Sequence, residues 1–88
     1  MIAEPVLRLA EELASIAPAG LTKSFFCASG SEAVEAALLA AALHTGRSGV
    51  IAMSNSLHGR TRWAMNITGL PMWRTDPFPI GGVMHVRF

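Results

Sequence analysis

The stretch Cys27-Ala28-Ser29-Gly30-Ser31-Glu32-Ala33 constrains this chain more than any other. An apolar run ends in three small residues, and a run rich in alanine and leucine follows directly. Lys23–Ala28, with Phe25-Phe26-Cys27 at its centre, has strand character. From Ser29 the chain is predicted to be helical to about Leu43, because alanine and leucine are the best helix formers. Ser29 and Glu32 match the S-x-x-E capping box, and Gly46 supplies a stop. A strand that turns tightly into a helix is the opening of an α/β unit.

The remaining segments extend that order. Residues 4–17 are predicted to be a helix, with Pro5 in its first turn and Val6, Leu9, Ala10 and Leu13 at helical spacing. Pro18-Ala19-Gly20 ends it. Residues 49–54 read as a second strand, 55–60 as a loop and 61–68 as a short helix. Residues 69–82 are rich in proline and glycine and read as an irregular excursion. Residues 83–88 alternate as a third strand. The expected fold class is α/β, with helices layered on a sheet.

With 88 residues, one small domain is expected. Such a chain should be more polar than average, yet 51% of it is hydrophobic and only 15% is charged, against roughly 25% charged in ordinary domains. It therefore reads as a piece of a larger core, or as a subunit buried against a partner, which makes a homo-oligomer the expected state. A net charge of +1 argues against nucleic acid as a partner. The single cysteine, Cys27, closes no disulfide within the chain, and a reducing, cytoplasmic setting fits. The start of the chain lacks a secretory pattern. The longest apolar run, Ala36–Leu43, is too short to cross a bilayer, so no membrane role is expected. His44, His58 and His85 lack metal-ligand spacing, and no metal site is expected.

Two turns carry the candidate chemistry. Ser29-Gly30-Ser31 enters a helix, whose free amides and dipole favour an anion, phosphate above all. Gly30 would let a ligand approach the backbone, and two hydroxyls add donors. An ordinary capped helix start has the same appearance. Leu57-His58-Gly59-Arg60-Thr61 follows the second strand, and ligands of α/β sheets bind at the carboxyl ends of strands. His58 is a ligand residue there or a local loop cap. Arg60 and Arg62 read as a solvated pair rather than phosphate contacts. Cys27 reads as a buried strand residue, and Trp63 and Trp73 as core or interface anchors.

In order along the chain stand "FFCASGSEAVEAALLAA", "HTGRSGVIAMSNSLHGRT", "TGLP" and "DPFPIGGVMHV". This ordered set, preceded by "PVLRLAEELASIAP", resembles the class III aminotransferases, pyridoxal-phosphate enzymes of fold type I that include the acetylornithine, ornithine and 4-aminobutyrate aminotransferases. The resemblance covers nearly all of the chain. It implies a three-layer α/β/α sheet, of which residues 1–88 would be the start of the large domain, as one incomplete domain. It implies pyridoxal 5'-phosphate as cofactor, with an amino acid and a 2-oxo acid as substrates. The cofactor phosphate would lie on Ser29, Gly30 and Ser31, with His58 and Gly59 matching the family's His-Gly pair. Leu57 stands where the family usually has an aromatic residue against the pyridine ring, and it would cover that ring by dispersion alone.

The resemblance also implies what these residues do not supply. The family uses a lysine that bonds to the cofactor and an acidic group on its pyridine nitrogen. Lys23 and Asp76, the one lysine and one aspartate here, match neither position. No catalytic residue is therefore expected within the chain, and alone it is expected to be inactive. The expected function is that of a fragment or truncated relative of such an aminotransferase. The alternative is a small α/β module that binds a phosphorylated ligand or assembles with other copies, without catalysis.

Overall fold

A computed structural model describes residues 3–77 and 79–87. Helix α1 spans Glu4–Ile16, with Pro5 in its first turn. Helix α2 spans Gly30–Thr45, and Gly46 closes it in the left-handed conformation with its N–H on the carbonyl of Ala42. Strand β1 is Val50–Met53, helix α3 is Arg62–Ile67, a 3₁₀ turn covers Pro71–Trp73, and strand β2 is Val83–Val86. The expected third strand thus ends at Val86, and Phe88 lies outside the described residues.

β1 and β2 pair in parallel, with Val50 opposite Val83 and Met53 opposite Val86. A parallel pair needs a crossover, and here it is α3, the 3₁₀ turn and the proline-rich segment. The segment after the 3₁₀ turn is held to α3 by its polar side chains, and the turn itself by Arg60. Asp76 accepts from Arg62 Nε at 2.7 Å and from Asn66 Nδ2 at 3.2 Å. Asn66 Oδ1 accepts the N–H of Ile80 at 3.0 Å. Arg60 lies over the Trp73 ring, 5.2 Å from its centroid, and donates to the Trp73 carbonyl. Arg60 and Arg62 are therefore exposed but engaged, contrary to the solvated pair expected from sequence. Each guanidinium is used to fasten the 73–76 segment.

The strand expected at Lys23–Ala28 does not form: residues 21–27 are irregular. A strand needs ladder partners for its backbone N–H and C=O groups, and the sheet among the described residues contains only β1 and β2. Cys27, expected to be buried, is accordingly half-exposed, and Phe25 is 81% exposed.

Among the described residues the buried apolar side chains are Ala52, Ala64 and Ile67, a small core where α3 covers the sheet. The accessible surface is 7005 Å², against about 5,000 Å² for a compact protein of this mass. The radius of gyration is 15.5 Å, against about 12 Å for a compact domain of this length. Both α1 and α2 lack a buried residue, so the apolar excess seen in composition lies on the surface. No described helix is long and apolar enough to cross a membrane.

Candidate functional site

The first turn forms because Ser29 has extended backbone and caps α2 with its side chain, Oγ accepting from Glu32 N–H at 3.2 Å. The capping box differs from its sequence form by one residue. Glu32 reaches back to the N–H of Ala28, at 2.9 Å, instead of that of Ser29. Among the described residues, no acceptor in the chain takes the N–H of Gly30 or Ser31. Two donors at the positive end of a 16-residue helix are thus left over. A Cβ at Gly30 would meet nothing within 4 Å, so the space beside its Cα is open.

The second turn is carried by the end of β1. Gly69 N–H donates to the Ser56 carbonyl at 2.7 Å, and Asn55 N–H donates to the Gly69 carbonyl at 3.3 Å. Asn55 takes the left-handed backbone this crossing needs, with φ of 60°. Thr68 is fully buried; its hydroxyl accepts the N–H of His58 at 3.0 Å and donates to the Ala64 carbonyl at 3.1 Å. Ser56 Oγ gives its hydrogen to the Met53 carbonyl. Its 3.1 Å contact with His58 Nε2 is therefore a bond donated by the ring. The hydrogen sits on Nε2 in the neutral imidazole, and Nδ1 keeps the lone pair.

The two turns meet at Gly59 and Ser31. Arg60 N–H donates to Ser31 Oγ at 2.9 Å, and Gly59 packs so closely that a Cβ there would overlap that oxygen. With a lone pair of Ser31 Oγ taken by Arg60, its hydrogen is free to be given to an anion. His58 borders an open groove of about 370 Å³ between α2 and β1, together with Val34, Leu38 and Ile67. Leu57 is 56% exposed beside it in sequence. Ser31, His58 and Gly59 are thus brought into one region, with Ser29 and Gly30 adjoining Ser31 along the chain. No group of side chains with metal-ligand composition occurs among the described residues.

Thr68 and Gly69 were legible only as part of the "TGLP" segment; their work in holding the His58 turn needs the tertiary contact. Thr68→Val is expected to cost about 1 kcal/mol or more, because the part-buried N–H of His58 loses its acceptor. Thr68→Ser is expected to restore most of it, with urea denaturation midpoints giving the comparison.

Residues 1–85 match the family model Aminotransferase class-III. The chain is 49% identical over 69 residues to the acetylornithine aminotransferase of Methanosarcina acetivorans, covering 78% of this chain and 17% of that protein. It is 42% identical over 87 residues to the acetylornithine aminotransferase of Mycobacterium bovis, covering 97% of this chain and 22% of that one. Among solved structures it is similar to an omega transaminase from Pseudomonas jessenii in complex with PMP, at TM-score 0.83 and 34% identity over all of this chain and 21% of that one. The chain spans about a fifth of the length of these relatives. With its partial α/β fold and its two joined turns, the chain belongs to the class III aminotransferases.

Proposed function

We propose that residues 1–88 carry the phosphate-holding part of a pyridoxal-phosphate aminotransferase site, as one incomplete domain that begins the large domain of the family. The observation that carries this reading is the pair of uncommitted amides at Gly30 and Ser31, with the Ser31 hydroxyl hydrogen free beside them. Three donors and a helix dipole fit a phosphate monoester, and no other group stands within 4 Å of the Cβ position of Gly30.

In this reading Gly30 and Ser31 hold the phosphate through their backbone N–H groups, and Ser31 adds its hydroxyl. Ser29 keeps those donors aligned by capping the helix. Leu57 offers an apolar surface to the ring, and His58 and Gly59 shape the wall beside it. When bound, pyridoxal phosphate supplies an electron sink for amino-acid chemistry. Lys23 is the only lysine of these residues, and it is exposed in the irregular segment before α2. We assign it no catalytic role, and turnover by these residues alone is not expected. The surface excess weighs against a self-contained anion-binding module. It supports faces that further protein covers, whether more polypeptide or a second copy.

The test is titration with pyridoxal phosphate and with inorganic phosphate. Gly30→Asp puts a carboxylate at the mouth of the amide pair, where it repels the ligand. It is expected to weaken both affinities by at least about tenfold. Absence of saturable uptake by the unaltered chain, or equal affinity in Gly30→Asp, would remove the reading.

A further inference from the structure

We infer that Glu35 and Thr61 are positioning residues that lock the 57–61 turn onto the start of α2. Thr61 occupies the N-cap of α3, where a threonine hydroxyl ordinarily accepts from an amide of the first turn. Here the side chain makes no capping bond. It donates instead to Glu35 Oε1, at 2.7 Å, on a helix 26 residues earlier in sequence. Glu35 stands four residues beyond Ser31, so the two share one face of α2. That face meets the turn twice: Gly59 and Arg60 sit on Ser31, and Thr61 sits on Glu35 one helical turn further.

The second point of attachment changes what the first can do. A single contact at Ser31 would let the 57–61 turn pivot about it. Two contacts spaced along α2 fix its rotation as well as its position, and with it the direction from which Leu57 and His58 approach. Neither Glu35 nor Thr61 needs to touch a ligand for this. The hydrogen bond is short and partly buried, so water competes for it less than at an exposed site.

The experiment is amide hydrogen exchange on the intact chain, read at Arg60, whose N–H is held by Ser31 Oγ. Thr61→Val and Glu35→Ala are each expected to speed exchange at Arg60 about tenfold relative to the sheet amides Val50 and Ser54. The double variant is expected to match either single one, since both remove the same bond. Thr61→Ser and Glu35→Gln keep donor and acceptor and are expected to stay within about twofold of the parent. Unchanged exchange at Arg60 in Thr61→Val overturns the proposal. So do additive effects in the double variant, or protection lost equally at Val50 and Ser54. One consequence rests on the pyridoxal phosphate reading: Thr61→Val and Glu35→Ala should then weaken its uptake in parallel. If the unaltered chain takes up none, that reading fails, while exchange at Arg60 still decides the clamp.

Discussion

Gly59→Ala is expected to separate the two turns and unfold the region they share. Gly59 has φ of +145°, a backbone conformation that only glycine adopts without strain. The space is closed as well: an added Cβ would overlap Ser31 Oγ and lie 3.0 Å from Ser31 Cα and Cβ. The Oγ could rotate away, but the Cα belongs to the first turn of α2 and can recede only by moving the helix. Backbone strain and overpacking act together, so the cost is expected to be at least about 3 kcal/mol. The Arg60-to-Ser31 bond is expected to break with it, and the pyridoxal phosphate uptake proposed above to be lost. Denaturation midpoints and ligand titration check both parts, and a variant with parental midpoint and uptake would show that the turns do not meet as described.

Gly69→Ala is expected to be as damaging for a different reason. A Cβ at Gly69 would collide with the carbonyl oxygen of Met53, lie 2.8 Å from Asn55 N and 2.9 Å from Ser54 Cα. All three neighbours are backbone at the end of β1, and none can swing aside as a side chain would. The variant must part the 53–56 segment from residues 68–69, losing the Gly69-to-Ser56 and Asn55-to-Gly69 bonds. A cost above about 3 kcal/mol is expected. With so small a core, that is enough to unfold the sheet. The signature is loss of exchange protection at Asn55, Gly69 and Ser54 together, and a parental urea midpoint would refute it.

Much of the local structure was legible because it depends on near neighbours. Pro5, Ser29 and Gly46 marked helix ends, and the alanine-rich run between Ser31 and Leu43 left little alternative to helix. The candidate turns were legible for the same reason, as small residues at the joins of elements. Phe25-Phe26-Cys27 misled because strand propensity states only what a segment would do beside other strands. Arg60, Arg62 and Asp76 gave no sequence sign of their pairing, since each partner lies more than ten residues away.

The amino-acid order by itself determined the class III aminotransferase family, the α/β class, the helices and the two small-residue turns. These follow from local backbone preference and from an ordered set of short motifs. Only the tertiary structure decided that Gly59 rests on Ser31, that Thr68 holds His58, and that Thr61 gives its hydroxyl to Glu35 rather than to its own helix. Those choices rest on distances between residues far apart in the chain, where a single methyl group or hydroxyl hydrogen determines which contact is made.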